Sequence, residues 1–101
     1  MPVVNSLEDR LAAVRLRFIA RVPDEIAEFE AGLAALMTQV DTARPMLADQ
    51  AHKLAGGAGM LGFQEIGGMA SAVDRAIRRD GASVVEIRER VEQLLMALRA
   101  L

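Results

Sequence analysis

Apolar residues in this chain return every three or four positions with almost no interruption, and that spacing limits the folds open to it more than any other feature. Ile26, Phe29, Leu33, Leu36 and Val40 form one such stripe, and Leu47, Ala51, Leu54, Ala58 and Leu61 form another. A helix turns once in about 3.6 residues, so residues spaced in this way share one face. A strand needs strict alternation, and no segment keeps it for long. The core must come from Leu, Ala, Val, Ile and Met, because the chain has three phenylalanines and neither tryptophan nor tyrosine. That set favours helices. At 101 residues, a single domain over 1–101 is expected.

Five helical segments follow from the pattern. The first, near residues 7–21, carries Leu7, Leu11, Val14 and Phe18, with Ser6 as N-cap and Asp9 at its third position. Pro23 suits the first turn of a second helix, with Asp24 and Glu25 placed against its dipole. Asp41 or Thr42 can cap a third, with Pro45 in its first turn. A fourth begins near Phe63, carries Ile66, Ala70, Val73 and Ile77, and ends at Asp80-Gly81, where glycine can take the left-handed cap. Ser83-Val84-Val85-Glu86 opens a fifth as a capping box, burying Ile87, Val91, Leu94, Leu98 and Leu101. Short links make sequential helices antiparallel. The expected fold is all-α, an up-and-down antiparallel four-helix bundle with an additional N-terminal helix.

Charge and composition exclude several functions. The net charge of -2, with 26% charged residues, gives no basic field for a nucleic-acid partner. No cysteine is present for disulfides or thiolate metal sites, and one histidine makes a histidine-based metal centre improbable. No apolar run reaches the roughly 18 to 20 residues of a membrane span. The opening MPVVNSLEDRL lacks the basic and apolar regions of a signal peptide. A cytoplasmic domain without membrane contact is expected.

The single histidine lies in AHKLAGGAGMLGF, residues 51–63, beside four of the eight glycines. Gly57, Gly59 and Gly62 formally satisfy a dinucleotide fingerprint, but no strand precedes them and the helical seam runs through them. On a wheel of about 100° per residue with Leu47 at zero, the seam stays within roughly 40°, His52 lies near 140°, Gly59 near 120°, Gly56 near 180°, Ala48 near 100° and Ala55 near 80°. The histidine points outward among residues with almost no side chain. Mid-helix glycines cost about 0.5 to 1 kcal/mol each relative to alanine, so three of them call for a reason. Gly56, Gly57 and Gly59 either admit a neighbouring helix of the same bundle, or clear space so that another protein can reach an exposed, nucleophilic imidazole. Hydrolase chemistry lacks support, since Ser6, Ser71 and Ser83 occupy capping or surface positions without a nucleophile motif.

The pattern Ala51-His52-x-Leu54-x-Gly56-x-x-Gly59-x-x-Gly62-Phe63, continued through Ile66, Ala70, Val73 and Asp74, resembles the histidine-containing phosphotransfer (HPt) domain of multistep two-component relays. Arg17-Phe18-Ile19 followed by Val22-Pro23 is similar to the start of the second helix in bacterial members.

The resemblance implies that His52 accepts a phosphoryl group from a receiver-domain aspartate and passes it to another receiver. The domain would be a relay intermediate without turnover of its own, and would bind no cofactor, with Mg²⁺ held by the partner receiver. Its partners would be response-regulator receivers and a hybrid histidine kinase, and a monomer is expected. Gly56, one turn after His52, would let the receiver close in, and Ala48, Ala55, Gly59, Arg75 and Arg78 would form the docking surface.

Two positions depart from the family pattern. Many members carry lysine where this chain has Ala55, which leaves Lys53, about 100° round the helix from His52, as the nearest cation to support the phosphoryl site. Asp74 stands where some members have a glutamine that bonds the imidazole. An antiparallel neighbour turning near residue 62 brings residues 72–75 level with His52, so Asp74 is the expected group to orient the ring. A histidine-kinase dimerisation helix usually has an acidic residue after its histidine, whereas Lys53 follows here. The rival reading is a non-phosphorylated helical-bundle module that docks on a receiver and sequesters it.

Overall fold

A computed structural model of the protein describes residues 6–101, and among them the chain forms four helices: α1 (Leu7–Met37), α2 (Ala43–Met60), α3 (Gln64–Arg78) and α4 (Val84–Arg99). Residues 1–5, part of the stretch read for a signal peptide, lie outside the described residues. No strand occurs among the described residues. Each helix packs closely on two others in the cycle α1, α2, α3, α4, with the diagonal pairs set farther apart.

Cross-helix contacts fix the antiparallel register. On α1 and α2, Arg15 meets Leu61, Glu25 meets Gln50, and Gly32 meets Leu47. On α2 and α3, Asp49 meets Arg78, His52 meets Asp74, and Gly59 meets Gly67. In both pairs one number rises as the other falls, as antiparallel neighbours require. All four helices supply the core: Phe29, Leu47, Val73, Ile87, Leu94 and Leu98 are among its fully buried side chains.

The additional N-terminal helix is not separate, because α1 is one 31-residue helix that runs through Pro23. The proline removes a single hydrogen bond to the carbonyl four residues earlier, at Ile19. Pro23 is exposed, so that carbonyl lies on the side open to water, while Phe18, Val22, Phe29 and Leu36 keep one buried stripe across it. Packing therefore outweighs a local cost of about 3 kcal/mol. At about 1.5 Å per residue α1 is nearly twice as long as its neighbours, and its first turns outrun the bundle. Leu7 is consequently exposed, Leu11 and Val14 are half-buried, and Phe18 is the first residue of that stripe in the core, stacked on Phe63 with ring centroids 4.9 Å apart.

The ends follow local chemistry. Ser6 Oγ accepts from the Asp9 amide at 3.1 Å, and Ser83 Oγ accepts from the Glu86 amide at 3.2 Å. The Glu86 carboxylate faces Arg90 at 3.6 Å. Thr42 occupies the N-cap position of α2 without a side-chain bond, and Pro45 falls in the first turn. Val40 and Leu101, expected in buried stripes, are exposed because α1 stops at Met37 and α4 at Arg99.

The glycines divide into two kinds. Gly81 has φ +58° in the turn after α3, a conformation that costs a residue with a Cβ about 1–2 kcal/mol. Gly57 is helical, with no atom within 4 Å of where a Cβ would stand. We therefore expect opposite signs from one chemical change: Gly81→Ala lowers unfolding free energy by about 1–2 kcal/mol, whereas Gly57→Ala raises it by about 0.5–1 kcal/mol. Denaturant unfolding of the two variants beside the parent checks both.

Candidate functional site

His52 sits mid-helix on α2 with its side chain 72% exposed. Its Nδ1 lies 3.0 Å from Oδ2 of Asp74, which projects from α3 and is itself only 18% exposed. An ionised carboxylate only accepts, so this contact assigns the ring proton to Nδ1 and leaves the lone pair on Nε2. The antiparallel register brings the two residues level, as the sequence led us to expect.

The other oxygen of Asp74 faces Arg78, one turn later on α3, with Nη1 at 3.3 Å. That oxygen is buried and receives no directed hydrogen bond, so the contact is one of charge. The Arg78 guanidinium also bonds Asp49 on α2. A chain of four side chains results, running from His52 to Asp74, Arg78 and Asp49 and crossing between the helices twice.

Two of these residues take places that sequence reasoning did not give them. Asp49 was not singled out, although it lies three positions before His52 and therefore on the same face. Arg78, expected to await a partner on the docking surface, is engaged within the site; its spacing of four from Asp74 was the available signal. Arg75 is exposed and makes no ion pair among the described residues.

Ala48 cannot belong to a docking surface, because it is fully buried. The wheel placed it 100° from the seam, but α2 packs against α1 on one side and α3 on the other, so its buried arc is wider than one stripe. Ala55 is half-buried for the same reason and packs against the core. Gly56, Gly57 and Gly59 are exposed, and a Cβ at any of them would meet nothing within 4 Å. They do not admit a helix of this bundle. That task falls to Gly67 on α3, whose missing Cβ would stand 3.4 Å from the Gly59 nitrogen and 3.5 Å from the Ala55 carbonyl oxygen.

Lys53 lies on the opposite shoulder of α2 from Asp74. It lines a cleft of about 640 Å³ toward α1 with Glu25, Glu28 and Gln50. The amide of Gln50 donates to the Glu25 backbone carbonyl at 3.2 Å. No three histidine, aspartate or glutamate side chains converge as a metal-binding group among the described residues. No helix in the described residues is long and apolar enough to cross a membrane.

The Arg78–Asp49 pair is mostly open to water, with side chains 45% and 64% exposed, so its net contribution to folding is small. Asp49→Asn is expected to change unfolding free energy by less than about 1 kcal/mol, read by thermal and denaturant melts.

The family model described as "Hpt domain" matches residues 13–101, which takes in all of α2, α3 and α4 and most of α1. No curated protein and no solved structure matches the chain. With nearly the whole chain covered and the bundle geometry in place, this protein belongs to the Hpt domain family.

Proposed function

We propose that this protein takes a phosphoryl group onto Nε2 of His52 from a phospho-aspartate of one receiver domain and delivers it to an aspartate of another. Membership of the Hpt family carries the coarser statement, that the chain is a phosphotransfer module of two-component phosphorelays. One observation carries the finer reading. The only histidine of the chain stands exposed, with Nδ1 held by Asp74, which leaves Nε2 as the outward nitrogen with a free lone pair.

In the proposed step the Nε2 lone pair attacks phosphorus. The N–P bond forms as the P–O bond of the acyl phosphate breaks, and the leaving electron pair stays on the receiver's carboxylate oxygen. The ring keeps its Nδ1 proton and becomes positively charged, and the Asp74 carboxylate lies 3.0 Å away to balance it. Delivery to the second receiver reverses these bonds. Mg²⁺ belongs to the receiver site in this reading, and the protein is a relay intermediate without turnover of its own. Receivers and a hybrid histidine kinase are the proposed partners.

The open surface at Gly56 and Gly59 supports close approach by a receiver, and the exposed Arg75 on α3 offers a cation for an acidic receiver face. Lys53 reaches the phosphoryl group in this reading only by swinging out of the cleft toward α1, so it supports the site through long-range charge.

Incubation with a phosphorylated receiver is expected to leave acid-labile, alkali-stable phosphate on the protein. His52→Gln should remove that label without altering the melt. A label that persists in His52→Gln ends the proposal, and stable receiver binding with no label favours the sequestering module instead. A second measurement tests the approach surface. Gly56→Leu should fold, since nothing stands within 4 Å of its Cβ position, yet slow transfer by about tenfold or more by holding the receiver off.

A further inference from the structure

At this site a carboxylate, and not a neutral group, meets the imidazole. A glutamine at position 74 would offer the ring a neutral acceptor, whereas Asp74 places a carboxylate against it. In general a neighbouring carboxylate favours the doubly protonated form of an imidazole, and an imidazolium has no lone pair on Nε2 with which to attack phosphorus. A cation seated on the same carboxylate weakens that pull on the ring while leaving the hydrogen bond in place.

The charged groups around His52 can be named helix by helix. From α3 come Asp74, in contact, then Arg78 and the exposed Arg75. From α2 come Asp49, one turn earlier, and Lys53, turned toward α1. On α1, Glu25 and Glu28 lie across the cleft beyond Lys53, and α4 lies diagonally across the bundle from α2. Of the cations, Arg78 is the one seated on Asp74 itself, 3.3 Å from the buried oxygen that has no hydrogen-bond donor. Its bond to Asp49 holds the guanidinium over the junction of α2 and α3.

We propose that Arg78 is a positioning residue acting through Asp74: it offsets the carboxylate charge at Oδ1, so that Oδ2 accepts the Nδ1 proton without drawing a second proton onto Nε2. Asp49 anchors Arg78 in that place. The assignment concerns the protonation of His52, and only its consequence for transfer rests on the function proposed above.

Because His52 is the only histidine, its ring resonances can be followed against pH without ambiguity. Arg78→Gln is expected to raise the pH at which His52 gains its second proton by roughly half a unit to one unit. Arg78→Lys should return most of that shift. In an Asp74→Asn background the same Arg78→Gln change should move the midpoint by less than about a third as much, since the residue it acts through is neutral. A midpoint that stays or falls in Arg78→Gln overturns the proposal. So does an equal shift in the Asp74→Asn background, which would mean that Arg78 acts on the ring directly. The Arg78 side chain is 45% exposed, so its loss opens no core cavity, and helical circular dichroism confirms the fold of each variant. The pH profile of phosphoryl acceptance should move up with the midpoint. If the ring titration moves as stated and acceptance does not follow, Arg78 keeps its role toward His52 and the reading of His52 as phosphoacceptor fails.

Discussion

The close approach of α2 and α3 at Gly67 is the contact on which the site depends. A side chain larger than a methyl group there would press on the Gly59 nitrogen and the Ala55 carbonyl, and the two helices would part. The three-residue turn Leu61-Gly62-Phe63 then fixes their register, with Gly62 at φ +86° and the Phe63 amide donating to the Ala58 carbonyl at 2.9 Å. Spacing and register together bring Asp74 level with His52 and Arg78 level with Asp49. α1 locks the same turn from outside, through the Arg15 Nε bond to the Leu61 carbonyl at 2.8 Å and the stack of Phe18 on Phe63.

On its outer face α2 bears glycines whose lack of a side chain no neighbouring helix requires. Gly56, Gly57 and Gly59 each forgo the helix propensity of alanine although the space around them is open. The helix is held by its inner face, where Leu47, Ala51, Leu54 and Ala58 are buried between the neighbouring helices. Core packing thus tolerates an outer face that is poor in side chains, and that face is where the imidazole stands. The same division explains α1, whose buried stripe carries it through an exposed proline.

The electrostatics of the site form one connected system. Asp74 links His52 to Arg78, and Arg78 links α3 back to Asp49 on α2. The partly buried carboxylate is the member whose surroundings matter most, since an exposed pair such as Arg78 with Asp49 is screened by water. Charge at this site therefore reaches the ring through Asp74. With Ala55 half-buried and Lys53 on the far shoulder, the cation joined to the imidazole chain is Arg78, one that the docking surface had been expected to supply.

By itself, the sequence determined the helical class, the antiparallel order, the caps at Ser6 and Ser83, the left-handed turn at Gly81 and the outward placement of His52. These follow from periodicity and local hydrogen bonding, which short segments carry within themselves. It also brought Asp74 level with His52, because a turn of known position fixes antiparallel register. Only the tertiary structure decided that α1 continues through Pro23, that Ala48 is covered, that the glycines of α2 face open space while Gly67 makes the close contact, and that Arg78 belongs to the site. Each of these depends on which neighbour occupies which side of a helix, and a one-dimensional pattern shows the face that is apolar but not how wide an arc two packed neighbours will cover.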